Sequence, residues 1–446
     1  MRWTAPASST PVLTAAPRPS LPGEPSMLRR FRKTLAEYPR PFWSLVGAGF
    51  IDRLGGTLII PFFALYVTER FGVGMTEAGI LLGIFSIFGL AGSMVGGALA
   101  DRFGRRSLLL FGLVISALSS ISMGLVDNLA AFYVLAAFVG LLSDVGSPAR
   151  QAMVADLLPE EQRSEGFGIL RVSGNLAWMI GPTIGGFLAA RSYLLLFILD
   201  AISSMITAGI VYAMIPETKP ETAEAGEPES FLATLGGYAT AIRDLAFLGF
   251  VLASMVLTTV YLQMYSTLSV YLRDVRGLPA QGFGALLSAN ATMVVLFQFW
   301  LTRRISGYPQ LLMMALGAGL YLVGFTAYAF VDGFVFFLAA MLIITLGEMI
   351  VIPVGQALAA RFAPEAMRGR YMAFFGLSWA VPSTIGPLAA GLIMDHYDPR
   401  WVWYIGGVLC GVAVLAFLAL HARTKDRLEQ PSQSEREAAP DHQFLV

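Results

Sequence analysis

Charged residues and cysteine are both scarce in this sequence, and their scarcity narrows the class of protein. Only 13% of the 446 residues are Asp, Glu, Lys or Arg, whereas a soluble domain carries about 25%. Hydrophobic residues make up 56% of the chain, and its mean hydropathy is +0.66. These values exclude most soluble enzymes and any disordered protein, and they indicate a polytopic membrane protein. The single cysteine, Cys410, lies in an apolar run and cannot form an intrachain disulfide.

Several other features of common function classes are missing as well. Lys+Arg and Asp+Glu both total 30, so no basic surplus points to a nucleic-acid partner. The three histidines lack metal-ligand spacing, and no Gly-Lys-Ser/Thr phosphate loop occurs. No nucleophile with a base is recognisable either. We therefore expect no metal, no cofactor, no ATP-driven step and no enzymatic activity.

Long apolar stretches follow one another from Phe42 onward, each about 20 residues, the length that crosses a bilayer core. Continuous runs of this kind predict helices, because the strands of a barrel would give short alternating segments. The sequence predicts twelve transmembrane helices, at residues 43–67, 78–100, 107–126, 129–152, 166–190, 192–215, 246–272, 280–301, 308–330, 334–358, 367–394 and 400–420.

Polar, Pro-rich segments flank and divide these helices. Residues 1–41 predict a largely disordered cytoplasmic tail, and residues 216–245 predict a cytoplasmic linker. Two six-helix bundles, at 42–215 and 246–420, lie on either side of the linker, and a second cytoplasmic tail occupies 421–446.

An internal repeat relates the two bundles. Eight residues of the first recur in the second at a constant offset of 205. They are Pro148, Gln151, Pro159, Glu160, Arg163, Gly181, Pro182 and Gly186, matching Pro353, Gln356, Pro364, Glu365, Arg368, Gly386, Pro387 and Gly391. The fold class is therefore an all-α membrane protein of two pseudo-symmetric six-helix bundles, with a site near the bilayer midplane between them.

Basic residues cluster on one side of the predicted spans. The clusters precede the first span and follow the second, fourth, eighth, tenth and last, whereas the opposite loops hold only scattered cations. The positive-inside rule then places both termini in the cytoplasm of a multi-pass protein of the plasma or inner membrane.

The loop after the second span reads Gly97-Ala98-Leu99-Ala100-Asp101-Arg102-Phe103-Gly104-Arg105-Arg106. It resembles the cytoplasmic signature G-x-L-x-D-R-x-G-R-R of the major facilitator superfamily at every defined position. An Asp among arginines at a helix end forms charge-assisted bonds that stabilise one conformation of a two-bundle transporter. We predict a conformational latch formed by Gly97, Asp101, Arg102, Gly104, Arg105 and Arg106. The alternative, a topology anchor of positive charge, explains neither the Asp nor Gly104.

The fifth span carries Gly168, Gly181, Pro182, Gly185 and Gly186. This pattern resembles a signature of proton-coupled exporters in the drug:proton antiporter branch, from which it departs at Ala177. Small residues predict a smooth helix face against the other bundle, and Pro182 bends the helix. Generic small-residue packing is the alternative for any one glycine taken alone.

The resemblance covers residues 40 to 420. It implies a central cavity lined by the first, fourth, seventh and tenth helices, and transport by alternating access. Two departures leave the coupling ion open: the second-half loop, Leu301–Gly307, lacks an Asp, and Val134–Leu142 of the fourth span lacks the arginine of the exporters.

Charged residues inside the spans are the candidates for proton coupling, because a charge at the bilayer centre costs at least about 2.5 kcal/mol. Glu348 and Asp144 lie near the middles of the tenth and fourth spans. Both are candidates, together with Asp52, and a permanently paired structural acid is the alternative for each. Asp52 lies about 13 Å along its helix, a depth comparable to that of Arg171, and we predict an ion pair between them. Arg53 points about 100° away from Asp52.

Polar residues of the seventh and eighth spans are the candidates for the substrate cavity. They are Tyr261, Gln263, Tyr265 and Asn290. Tyr261 and Tyr265 share a helix face, and such amphipathic aromatics suit a large, partly apolar ligand. Packing between helices is the alternative for Tyr265.

The sequence therefore predicts a secondary transporter that exports hydrophobic or amphipathic compounds in exchange for protons. Its partners would be a small-molecule substrate, protons and the lipid bilayer, and we expect it to act as a monomer. Two alternatives stay open: a proton-coupled importer or facilitator of a polar metabolite, and a sensor or scaffold that transports nothing.

Overall fold

The structure is a computed structural model that describes residues 37–143, 145–218, 242–364 and 367–428. Within these ranges the chain is almost entirely helical and contains no strand. Asp144 and most of the predicted linker and of the two predicted tails lie outside the described residues.

The first half begins with a helix that is broken near the middle of its span. Its helices are α1 (Arg40–Ile59), a 3-10 turn (Ile60–Phe62), α2 (Phe63–Phe71), α3 (Met75–Phe103), α4 (Arg105–Leu125), α5 (Leu129–Ser143), α6 (Gly146–Leu157), α7 (Glu160–Ala189) and α8 (Tyr193–Met214). The first span thus comprises α1 and α2, and the fourth comprises α5 and α6.

The second half follows the same plan. Its helices are α9 (Leu245–Leu262), α10 (Thr267–Arg276), α11 (Ala280–Ile305), α12 (Gln310–Ala327), α13 (Phe334–Phe362), α14 (Arg368–His396) and α15 (Trp401–Leu428). Here the seventh span is the broken one, because α9 and α10 are separated by the turn at Gln263–Ser266. Irregular backbone at membrane depth is tolerated where it is buried in protein or lines a cavity.

Eleven helical segments in the described part of the chain are long and apolar enough to cross a membrane. The remaining predicted span, the fifth, corresponds to α7, a 30-residue helix. Its first turns carry Glu160, Arg163 and Glu165, and its apolar part is interrupted by Asn175 and several glycines. The helix therefore begins six residues before the predicted start at 166, and its lower hydropathy fits a position between the two halves rather than against lipid.

The two halves meet along two pairs of long helices, of which α3 with α14 is the first. Glycines let these backbones approach closely. A Cβ on Gly79 would lie 2.6 Å from the carbonyl oxygen of Pro387, and one on Gly391 would lie 2.6 Å from that of Met75. Real Cβ atoms do not approach backbone oxygens so closely, so each glycine is required for this contact.

The second pair, α7 with α11, repeats the arrangement. A Cβ on Gly284 would clash with the carbonyl oxygen of Pro182, and one on Gly186 would lie 2.8 Å from that of Ala280. Each of these four residues lies 205 positions from its counterpart at the first interface. The pairs are Gly284 with Gly79, Pro182 with Pro387, Gly186 with Gly391 and Ala280 with Met75. The offset found in the sequence therefore also relates the contacts between the halves, and the predicted pseudo-symmetric pair of bundles is confirmed.

Polar contacts join the halves at one end of the bundle. We call the end that carries Arg102, Arg105 and Arg106 the basic end. At the opposite end, the Asp395 carboxylate accepts hydrogen bonds from the backbone N–H groups of Met75 (2.9 Å) and Thr76 (2.7 Å) at the start of α3. Such a carboxylate satisfies the orphan donors of a helix N-terminus and its dipole.

A second contact at this opposite end joins α10 to α2. Arg273 donates from Nη2 to Thr68 Oγ1 at 3.1 Å and from Nη1 to the carbonyl oxygen of Leu65 at 3.4 Å. Nearer the middle, the hydroxyls of Ser86 and Ser383 lie 2.8 Å apart. These contacts hold the halves together on the side away from the basic end.

Candidate functional site

A cavity of about 380 Å³ lies between the two halves. It is lined by Ile60, Asn175 and Trp178 from the first half, and by Tyr261, Leu262, Tyr265, Leu287, Asn290, Ala291, Val294, Glu348 and Trp379 from the second. We call it the central cavity. The first and the seventh spans contribute to it at or beside their breaks.

Glu348 is the only ionisable acid or base in the lining, apart from the two tyrosines. Its carboxylate oxygen Oε2 accepts a hydrogen bond from the Asn290 side-chain amide at 2.8 Å, and the same amide nitrogen lies 2.8 Å from Thr345 Oγ1. Glu348 is half-buried and has no ion-pair partner among the described residues. A carboxylate in this position is free to exchange a proton or to bind a cationic group.

Four aromatic side chains form the apolar walls of the central cavity. The hydroxyls of Tyr261 and Tyr265 lie 3.2 Å apart, and the Trp178 ring approaches that of Tyr265 with centroids 5.2 Å apart. Trp379 lies edge-on to Tyr261, and the Tyr261 ring stacks on that of Tyr321 with centroids 5.8 Å apart. Flat apolar faces beside a single carboxyl suit a ligand with a large apolar body and few polar groups.

The structure brings together three of the four predicted cavity residues, Tyr261, Tyr265 and Asn290, and adds Glu348 to them. The prediction for Gln263 is wrong. It is buried in the turn between α9 and α10, where its amide donates to the Thr259 carbonyl and its oxygen accepts from Thr267. At a helix break the side-chain direction no longer follows the helical repeat, so the sequence pattern misplaced it.

Trp178 and Trp379 were missed by the sequence analysis. Both were hidden by the general abundance of aromatic residues, which make up 12% of the chain. A usable signal existed in α7, where Trp178 lies three positions after Asn175 and so shares a face with a polar residue.

A second cavity, of about 500 Å³, lies within the first half near the basic end. We call it the arginine cavity, after Arg53, Arg150 and Arg171 in its lining. Arg150 of α6 donates to the Asp52 carboxylate at 2.7 Å, and Ser204 contacts the other carboxylate oxygen at 3.5 Å. Asp52, predicted as a proton-coupling candidate, is therefore held by an ion pair between α1 and α6.

The predicted pairing of Asp52 with Arg171 is wrong, because Asp52 pairs with Arg150. The predicted fourth span ended at residue 152 and left Arg150 at its margin. In the structure α6 continues to Leu157, so Arg150 lies seven residues, about 10 Å, inside the helix end and reaches the depth of Asp52. Arg171 lines the same cavity without an ion-pair partner among the described residues.

We expect the Asp52–Arg150 pair to stabilise the first half. Asp52→Asn, Arg150→Gln and the double variant form a mutant cycle, in which the coupling should be about 1 kcal/mol for this partly buried pair. Thermal unfolding of the purified protein in detergent measures it. Arg171→Gln is the matched comparison and should show no coupling to Asp52→Asn; additive effects of Asp52 and Arg150 would contradict the pairing.

The predicted latch surrounds a sharp turn between α3 and α4. Asp101 lies in the last turn of α3, and its side chain is outside the part of the chain that the structure describes. Arg105 pairs with Asp156 of α6, and the backbone N–H of Arg105 donates to Glu217 at 2.8 Å. Asp156 and Glu217 are thus further anions at this turn, and the latch role of Asp101 stays a prediction.

Gly104 is the residue that makes this turn possible. Its φ of +96° is disfavoured for any residue with a side chain, and a Cβ would lie 2.6 Å from the Glu217 carboxylate. Gly104→Ala should therefore lower the stability of the protein by about 1–3 kcal/mol. The thermal unfolding temperature in detergent measures the loss. Gly307→Ala, at a glycine with nothing within 4 Å, is the control and should change little; equal effects would contradict the argument.

The glycines of the fifth span face two partners rather than one. Gly186 and Pro182 contact α11 of the other half, as predicted, whereas Gly181 and Gly185 pack on Thr57 and Leu58–Phe62 of their own half. Gly168 has nothing within 4 Å. The expected continuous face against the other half is therefore confined to the end of α7, because Pro182 and Gly186 share one helix face while Gly181 and Gly185 share another.

Sequence comparison decides the family. A family model described as Major Facilitator Superfamily matches residues 45–359 and 313–444. The chain belongs to this superfamily. It is accordingly an integral multi-pass membrane protein and a member of a transporter family, with the fold that the resemblance implied.

Relatives and solved structures agree with this membership. A Na(+), Li(+), K(+)/H(+) antiporter of Planococcus maritimus is 29% identical over 407 residues, covering 84% of this chain and 95% of that protein. The multidrug resistance protein MdtH of Shigella dysenteriae is 24% identical over 376 residues, covering 82% of this chain and 90% of that protein.

Among solved structures, the nucleoside transporter NupG superimposes with a TM-score of 0.73 at 14% identity, covering 86% of this chain and 99% of that one. A POT family transporter in complex with 5-aminolevulinic acid superimposes with a TM-score of 0.73 at 18% identity, covering 88% of this chain and 97% of that one. At such identities these two structures establish the superfamily fold alone.

Proposed function

We propose that this superfamily member exports amphipathic small molecules from the cytoplasm in exchange for protons, by alternating access. The observation that carries the proposal is Glu348, a carboxyl without an ion-pair partner among the described residues, in an aromatic cavity between the two halves. A transporter coupled to protons needs one group that interacts with both the substrate and the proton. The position of Glu348 in the cavity supports that role.

The proposed cycle uses the hydrogen bonds around Glu348. When ionised, Glu348 accepts from Asn290, as observed, and its charge favours a polar or cationic group of the ligand. When a proton neutralises it, that attraction is lost and the ligand is released. Asp52, fixed by Arg150, serves as a structural bridge in this scheme, and Asp144 is kept as a second proton-coupling candidate.

The proposed direction follows from the basic end. With that end in the cytoplasm, both termini are cytoplasmic and the contacts of Asp395 and Arg273 close the outer side. The conformation described is then the one that loads substrate from the cytoplasm. Similarity to the multidrug resistance protein MdtH supports export of an amphipathic compound.

Exchange of a monovalent metal cation for protons is the second candidate function. The similarity to the Planococcus maritimus antiporter favours it, and the Glu348 carboxylate offers oxygen ligands in the central cavity. In this case the cation would replace the amphipathic ligand at the same carboxyl.

Inverted vesicles containing the protein test both candidates. With an acidic interior, export predicts accumulation of an amphipathic dye and release of protons, whereas cation exchange predicts proton release on adding Na⁺ or K⁺ without any dye. Uptake of a polar metabolite by right-side-out vesicles would instead favour an importer, and no flux in any arm would favour a sensor or scaffold.

A further inference from the structure

The arginine cavity carries more positive charge than its own acid neutralises. Its lining contains three arginines and one acid, Asp52, which is already bonded to Arg150. Arg53 and Arg171 have neither an ion-pair nor a hydrogen-bond partner among the described residues, and both are exposed to the cavity. Unpaired arginines inside a membrane-spanning bundle are costly and mark ligand or ion pathways.

Both arginines belong to the lining of this one cavity, Arg53 from α1 and Arg171 from α7. A Cβ on Gly174 of α7 would lie 3.9 Å from Arg53 Nε, so the Arg53 side chain reaches across to α7. Gly174 lies one turn after Arg171 on the same helix face. The two unpaired guanidinium groups of this cavity form a site for an oxyanion, which guanidinium groups bind through paired hydrogen bonds.

The arginine cavity is also aligned with the central cavity. Arg171 and Trp178 are seven residues apart on α7, so they share a helix face and are separated by about 10 Å along its axis. Trp178 lines the central cavity, and apolar residues such as Phe167 and Leu170 line the arginine cavity. A ligand with an acidic end and an apolar body can therefore contact the arginines while its body extends toward Trp178.

We propose that Arg53 and Arg171 form a binding site for the phosphate or carboxylate end of an amphipathic ligand entering from the basic end. The inference rests on the proposed function in naming the ligand as amphipathic, and it adds an acidic group to that ligand. The site itself is separate from Glu348.

Binding to the purified full-length protein in a neutral detergent tests the site without any proton gradient. The probes are octyl phosphate, octyl glucoside and octyltrimethylammonium, each below its micelle concentration, and inorganic phosphate; calorimetry measures their binding. We expect octyl phosphate to bind about tenfold tighter than the neutral and cationic octyl compounds and inorganic phosphate. Arg53→Gln and Arg171→Gln should each weaken its binding about tenfold.

Arg304→Gln is the matched control, because Arg304 is exposed at the basic end of α11 and lines neither cavity. It should leave binding unchanged, and unfolding temperatures without ligand check that every variant is folded. Unweakened binding by both cavity variants, or equal binding of the neutral and cationic compounds, would overturn the site. If inorganic phosphate bound as tightly as octyl phosphate, the proposal that the ligand is amphipathic would be contradicted. Octyl phosphate should still bind to Glu348→Gln. This result distinguishes a failure of the arginine site from a failure of proton coupling at Glu348.

Discussion

Replacing Glu348 by glutamine is expected to abolish transport against a gradient while leaving the folded protein intact. The amide keeps the size of the carboxyl and its capacity to bond Asn290, but it can neither bind nor release a proton. Substrate should still bind, but about tenfold more weakly than to the parent, because the neutral amide lacks the charge that attracts the ligand. Gradient-driven accumulation should fall to the level of vesicles without a pH gradient.

Reconstituted vesicles in which internal pH and substrate flux are followed together provide the measurement. Glu165→Gln is the matched control, because Glu165 is exposed near the start of α7 and lines neither cavity. If Glu348→Gln still moved protons with substrate at the parental ratio, Glu348 would not be the coupling acid, and Asp144 or Asp52 would become the leading candidate.

Placing a methyl group at Gly79 should block closure of the side opposite the basic end. The added Cβ would meet the backbone of Pro387 and Leu388 at 2.6–2.7 Å, and backbone of α14 cannot move aside without separating the halves. Gly79→Ala should therefore shift the population toward the conformation open at that end and reduce transport severalfold or more. Alanine is also the better helix former by about 1 kcal/mol, so any loss cannot come from helix propensity.

Labelling of a cysteine in the central cavity reads out this shift. In a Cys410→Ser background, Val294→Cys should react faster with an impermeant maleimide applied from the side opposite the basic end when Gly79→Ala is present. Gly319→Ala, at a helical glycine with nothing within 4 Å, should alter neither labelling nor transport. Unchanged labelling in Gly79→Ala would show that the α3–α14 contact does not control access.

The helices and their pairing into two halves were predictable because their signals are local. Twenty apolar residues predict a span, and a constant offset of 205 predicts a repeat. The exact starts of the helices and the breaks within the spans were not predictable from such local signals. The fifth span begins at Glu160 because α7 extends beyond the apolar region, and the turn at Gln263 has no glycine or proline within it to announce it.

The site was predictable where depth and helix face decide it. The sequence predicted that Glu348, Tyr261 and Asn290 face the cavity, and all three line it. A polar group in an apolar helix is favoured only where it faces a cavity or a partner. The partner of Asp52 was not predictable, because both arginines lie at similar depth and only the packing of α6 against α1 selects Arg150. That Arg53 and Arg171 line the same cavity depends in the same way on tertiary packing, which brings α1 and α7 together.

The hydrogen bond between Thr68 and Arg273 has a consequence for how such a chain arose. These residues are 205 positions apart, so they are equivalent positions of the two halves, yet they touch each other. In an ancestor made of two identical copies, the residue at this point would have met itself across the symmetry axis. Two arginines there would repel, and two threonines would be too short to span the gap. This bond therefore required the two halves to diverge in sequence at equivalent positions.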